Sequence, residues 1–120
     1  MVVRNLDLSY PTIVSSLVEA VPELRAALAQ HVRDNDVVMQ HVFFGCDVVP
    51  FVLAACKAGD VEIVGRCLAV LEAALTCSDE RTRGLVSVSF VEQVGPWESD
   101  MGSFVGAWPP ALAQEATHYA

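Results

Sequence analysis

The segment around Gly59 and Asp60 constrains the fold most strongly. Glycine commonly ends a helix and aspartate commonly caps the next one, so this pair can join two helices with almost no loop. After the pair, apolar residues recur at intervals of three and four residues along one side of a helix: Val61, Val64, Leu68, Leu71 and Leu75. The segment therefore predicts helices over residues 48–58 and 60–75 that pack as an antiparallel hairpin.

Similar start and stop signals divide the chain before this hairpin. Ser9 and Pro11 open a first helix, and Pro22 separates it from a second helix that ends at the turn-forming residues 34–36. Residues 37–44 are predicted to be mostly irregular, with a short strand as the alternative, because their apolar run has no clear period.

The boundaries of the later helices rest on the same kind of signal. Asp47 is expected to cap the third helix, with Pro50 in its first turn, where the missing N–H is harmless. A fifth helix is expected from residue 78 or 79 to residue 95, although the alternation in residues 85–91 leaves a strand as the alternative. The tail, residues 97–120, is expected to hold one or two short helices.

The predicted fold class is all-α, with five to seven helices in antiparallel hairpins that resemble a short, HEAT-like α-solenoid. A chain of 120 residues has the size of one domain, so a single helical domain is expected over residues 1–120. A domain of this size buries enough surface to fold without a disulfide or a metal ion.

The charge composition restricts the classes of partner. The net charge is −8 although only 18% of the residues are charged, so the chain is acidic mainly because it has few basic residues. Nucleic acids and anionic membranes would repel such a protein, whereas a basic protein would be attracted. Residues 1–12 lack the pattern of a signal peptide, and no stretch of 18 apolar residues occurs, so a cytoplasmic location is expected.

Cysteine and histidine are the residues that could carry chemistry. The four cysteines form no CxxC pair and are expected to be buried, reduced thiols, with a disulfide as the alternative. Cys46 is the best candidate for a reactive thiol, since it lies at a predicted helix start with His41 nearby, but the adjacent Asp47 opposes a thiolate. No histidine motif suggests a metal site. The sequence therefore predicts no catalytic, cofactor-binding or metal-binding residue, and no enzyme.

The stretch from Gly84 to the end of the sequence has acidic residues but neither lysine nor arginine. Large aromatic residues occur in the same stretch. Aromatic side chains provide contact area in protein interfaces, and carboxylates provide steering and register toward a basic partner. The predicted partner-binding residues are Glu92, Trp97, Glu98, Asp100 and Trp108, although a tryptophan in a small helical protein can also belong to the core.

Several segments resemble a family of small helical bacterial proteins that are often encoded among polymorphic-toxin and immunity genes. The resemblance covers residues 12–115 and is carried by HVFFG at residues 41–45, the hairpin at residues 60–75 and VSVSFVE at residues 86–92. It implies an immunity protein that binds a cognate basic toxin and neutralises it by occluding its active site. The alternative is a non-enzymatic adaptor or scaffold that binds another basic protein. The oligomeric state remains open.

Overall fold

The structure is a computed structural model that describes residues 6–119, and within this range it contains seven helices and no strand. The first four helices are α1, Ile13–Ala20; α2, Arg25–Asn35, after a 3₁₀ turn at Pro22–Leu24; α3, which joins Gln40–Phe43, a π-helical turn at Phe44–Val48 and Val49–Lys57; and α4, Val61–Leu75. The last three are α5, which joins Glu80–Val86, a π-helical turn at Ser87–Val91 and Glu92–Val94; α6, which joins the 3₁₀ turn Ser99–Met101 and Gly102–Gly106; and α7, Pro110–Ala116. The predicted all-α class is confirmed.

The predicted hairpin between α3 and α4 is also confirmed. Gly59 has a φ of +74°, in the left-handed region that favours glycine at the end of a helix. The Asp60 side chain then accepts a hydrogen bond from the Ile63 backbone N–H at 3.2 Å, which caps α4. Because only three residues separate α3 from α4, the two helices pack as an antiparallel hairpin.

Helix α4 lies at the centre of the fold and packs against α1, α3, α5 and α7. Leu68 and Leu71 of the predicted stripe are buried, whereas Val61 at the first position of the stripe is 82% exposed. Val61 and Val64 instead line an open, mostly apolar groove of about 340 Å³ that also contains Phe104 of α6.

Helix α3 begins earlier than the sequence predicts, and residues 37–44 are not mainly irregular. The helix starts at Gln40, directly after Met39, which is extended. The backbone N–H of Met39 donates a hydrogen bond to Nε2 of the buried His31 at 2.9 Å, and this contact ties the start of α3 to α2. A histidine acceptor eight residues upstream is not a recognised helix start signal, which explains the error.

Asp47 is therefore not a helix cap, because it lies inside the π-helical turn Phe44–Val48. The turn is explained by Pro50, which falls in the middle of the continuous helix. A proline inside an α-helix removes one N–H, and its ring clashes with the carbonyl four residues earlier, here that of Cys46. The wider π-helical turn relieves this crowding without ending the helix.

Helix α5 forms over the predicted segment, and the alternative strand does not form. Asp79 caps it, since its side chain accepts the Arg81 N–H at 2.9 Å. The other oxygen of the same carboxylate accepts the Tyr10 N–H at 2.8 Å and so fastens the segment before α1 to the start of α5. The hydrogen bond from Tyr10 is the largest of the effects that hold the pKa of Asp79 below its ordinary value.

The tail forms the two short helices α6 and α7, as predicted. The Glu72 side chain on α4 accepts hydrogen bonds from the backbone N–H groups of Ala111 and Leu112 at 2.8 and 2.9 Å. A carboxylate at this position satisfies N–H groups that have no partner within the helix. Glu72 therefore docks the beginning of α7 on α4, and the buried Leu112 completes the contact with the core.

The four cysteines are free, as predicted, but the prediction that all are buried holds only for Cys67, since Cys56 and Cys77 are half-buried and Cys46 is exposed. Cys67 is buried, and this burial raises the pKa of its thiol to about 12. We expect iodoacetamide to alkylate Cys46 readily in the native protein at pH 8 and to leave Cys67 unmodified until the protein unfolds, because alkylation requires an accessible thiolate. Peptide mass spectrometry after timed labelling checks this order, and labelling of Cys67 as fast as Cys46 would contradict it.

Candidate functional site

A tight turn directly after α5 presents the most exposed aromatic side chain of the predicted surface. The backbone N–H of Glu98 donates to the carbonyl oxygen of Gly95 at 2.9 Å, and Pro96 lies inside the turn. Gly95 has a φ of +79°. A Cβ atom at Gly95 would lie 3.4 Å from Glu98 Cγ and 3.7 Å from Trp97 Cζ2, so the absent side chain lets both residues fold back against the backbone.

Trp97 is held in a defined orientation although 52% of its surface is exposed. Its indole lies against Gly95, and its Nε1–H donates to Glu98 Oε1 at 3.0 Å. An exposed tryptophan would otherwise lose side-chain freedom when a partner covers it. Because these contacts already restrict the ring, less conformational entropy remains to be lost on binding.

The predicted carboxylates are arranged unequally around this tryptophan. Glu98 is exposed and contacts the Trp97 indole, while Asp100 is exposed in the 3₁₀ turn that opens α6. Glu92 is half-buried in the last turn of α5. The structure thus brings Trp97 and Glu98 into contact and places Asp100 two residues further along the chain.

Trp108 does not belong to this exposed surface, and this corrects the prediction that it is a partner-binding residue. It is only 5% exposed and packs against Phe90 of α5 and Phe104 of α6, with ring centroids 5.7 and 5.5 Å away. Its Nε1 is buried and has no hydrogen-bond partner among the described residues. Trp108 therefore belongs to the core, which was the alternative interpretation of this tryptophan.

Glu115, the remaining acid of the tail, is engaged within the chain. The buried Ser87 in the π-helical turn of α5 donates a hydrogen bond to Glu115 Oε2 at 2.5 Å and also contacts the Tyr119 hydroxyl at 2.8 Å. His118 Nδ1 lies 3.3 Å from the same carboxylate oxygen. These contacts hold the end of the tail against α5, so Glu115 contributes to the fold.

The contact between His41 and Ser89 was not predicted from the sequence. His41 Nδ1 lies 2.5 Å from the Ser89 hydroxyl, which joins the first turn of α3 to the π-helical turn of α5. A histidine beside a serine hydroxyl can act as a base, but Ser89 is only 6% exposed and a substrate has no access to it. The ring nitrogen that contacts Ser89 is also occupied, and Cys46 lies within a helix, away from any helix N-terminus, so the predicted rationale for a reactive Cys46 does not hold.

Residues 6–119 contain neither a metal-binding cluster nor a membrane-spanning helix. No group of three or more histidine, cysteine, aspartate or glutamate side chains is placed to hold a metal ion. In the same residues, no helix has the length and apolar character needed to cross a membrane.

The family comparison covers most of the chain. Residues 14–118 match the model of the DUF7674 family, a domain of unknown function, and the chain belongs to this family. Neither the curated proteins nor the solved structures provide a match.

Proposed function

We propose that this protein is a non-enzymatic, cytoplasmic binding module for a basic protein, and that it acts as an immunity protein for a cognate bacterial toxin. The observation that carries the proposal is the turn at residues 95–98, where an exposed and oriented tryptophan adjoins exposed carboxylates in a base-free stretch. The mechanism is occlusion, in which this surface covers the basic active site of the toxin.

The physical support for a basic protein partner comes from two properties of this surface. Trp97 offers a large, oriented contact area of the kind that dominates binding energy at protein interfaces. Glu98 and Asp100 add negative charge, and the chain has no lysine or arginine after Arg83 to offset it. Complementary charge speeds association and selects against acidic partners, including nucleic acids.

The choice of a toxin among basic proteins rests on the sequence resemblance to proteins encoded among toxin and immunity genes. An adaptor would use the same surface chemistry, so the partner's identity separates the two functions. The decisive partner is the product of the adjacent gene, because immunity proteins are expected beside the toxin they neutralise.

The proposal is tested by measuring the binding kinetics of variants to the purified product of the adjacent gene. We expect Trp97→Ala to speed dissociation and to cost roughly 2 kcal/mol or more of binding free energy, because it removes a central aromatic contact. Asp100→Lys should slow association, and the effect should weaken at high salt. Glu19→Lys on α1 changes the net charge by the same amount at an exposed site and serves as the matched control.

The possible outcomes separate the two functions. Wild-type protein that neither binds the adjacent-gene product nor protects cells expressing it would exclude the immunity function. Binding to some other basic protein through Trp97, without protection, would identify an adaptor. Binding that responds equally to Asp100→Lys and Glu19→Lys would show that net charge alone matters and that this surface is not the contact.

A further inference from the structure

We infer that the docking surface continues from Trp97 along the seam between α3 and α5, and that it receives an apolar segment of a basic protein. This inference rests on the proposed function and names the surface that performs it. The seam unites two segments that lie more than 40 residues apart in the sequence, as the separation of 48 residues between His41 and Ser89 shows.

Two contacts establish that α3 and α5 run parallel. His41 of α3 meets Ser89 of α5, and four residues later Gly45 faces Gln93, whose Cγ would lie 4.0 Å from a Cβ atom on that glycine. Residue numbers rise together along both helices, so the seam leads toward the C-terminal end of α5. The turn that presents Trp97 begins there, directly after Val94.

Helix geometry identifies the residues that flank the outer side of the seam. Each residue turns a helix by about 100°. When two parallel helices touch, the residue that follows a contact residue on the first helix therefore projects to the same side as the residue that precedes the matching contact residue on the second helix. This places Val42 and Cys46 of α3 beside Val88 and Glu92 of α5. Exposure agrees, since Val42 is 38% exposed, Val88 is 47% exposed and Cys46 is also exposed.

The two helices also bring together two segments that lack basic residues. Residues 34–56 contain no lysine or arginine, and neither do residues 84–120, so the carboxylate of Glu92 on the seam has no neighbouring lysine or arginine from either segment. Arg81 lies near the beginning of the seam, where its guanidinium stacks on the Tyr10 ring at 4.0 Å and Tyr10 in turn lies beside His41. Exposed valines and a tryptophan within an acidic border fit an apolar segment flanked by lysine or arginine.

Charge also decides among the possible occupants. A second copy of this chain carries the same net charge of −8 and would bring identical carboxylates against the seam, which disfavours a symmetric dimer. A basic protein gains attraction from the same groups. The seam is therefore assigned to the basic partner, and self-association becomes an outcome that would overturn the assignment.

The test compares Val42→Arg and Val88→Arg with Val61→Arg, using the purified product of the adjacent gene as the probe. We expect each seam variant to weaken binding about tenfold or more, because a charge enters an apolar contact and repels the basic partner. Val61 is an even more exposed valine, on α4 and outside the seam, so Val61→Arg should leave the affinity unchanged. Circular dichroism melts should show that all three variants are folded, because each substituted side chain is exposed.

Cys46 provides a second measurement that needs no change within the seam. In a Cys56→Ser, Cys77→Ser background, we expect the adjacent-gene product to slow alkylation of Cys46 about tenfold or more, because a covered thiol is inaccessible to the reagent. Binding that Trp97→Ala weakens, with Cys46 unprotected and the valine variants normal, would overturn the seam and leave the proposed function intact. Absence of wild-type binding would overturn both. Protection of Cys46 in the isolated protein, together with a dimer in sedimentation, would assign the seam to self-association.

Discussion

Leu71→Asp is expected to abolish cooperative folding. Leu71 has no exposed surface and lies in the middle of α4, the helix against which four others pack. A carboxylate there would lose its water shell without gaining a partner, which costs several kcal/mol. Domains of this size are commonly stable by only about 5–15 kcal/mol, so a loss of this size removes most or all of the margin.

Val61→Asp is the matched control for this variant, because it makes an identical type of change on the same helix at a residue that is 82% exposed. Thermal unfolding followed by circular dichroism should show a wild-type transition for Val61→Asp and no cooperative transition for Leu71→Asp. An unchanged melt for Leu71→Asp would contradict the position of α4 at the centre of the fold.

The two tryptophans are expected to differ sharply in their effect on stability. Trp108→Ala should lower the free energy of unfolding by about 3–5 kcal/mol, because it leaves a cavity between Phe90 and Phe104. Trp97→Ala should change it by no more than about 0.5 kcal/mol, since the indole is half exposed and its contacts with Gly95 and Glu98 lie within its own turn.

Chemical denaturation of the two variants measures this difference. Trp108→Phe adds a useful third case, because it removes a buried N–H that has no hydrogen-bond partner within residues 6–119 while keeping an aromatic ring between its neighbours. It should therefore be much less destabilising than Trp108→Ala. Equal losses of stability for Trp97→Ala and Trp108→Ala would show that both tryptophans are core residues and would remove the anchor from the proposed surface.

The helix boundaries that depend on neighbouring residues could be predicted from the sequence. Gly59 and Asp60 illustrate this, because a left-handed φ and a side-chain cap are set within a few residues. The start of α3 could not be predicted, because Met39 is held by His31 across a loop and Pro50 suggested a later beginning. A proline directly after a π-helical turn resembles a proline in a first turn when only the sequence is available.

The candidate surface shows the same division between local and distant contacts. Trp97 and Glu98 are adjacent in the sequence, so it could be predicted that they lie on the same surface. The burial of Trp108 depends on rings that other helices supply, and composition alone could not separate it from Trp97. The seam could not be predicted from the sequence either, because the register of α3 against α5 depends on a contact between His41 and Ser89.

The most direct test of the proposed occlusion is a titration of the activity of the adjacent-gene product with the wild-type protein. If the protein covers the active site, inhibition should rise in proportion to the amount added and should be complete at an equimolar ratio. Trp97→Ala should shift this endpoint to a clear excess, because its complex dissociates faster. Full toxin activity in the presence of excess wild-type protein would contradict the proposed function.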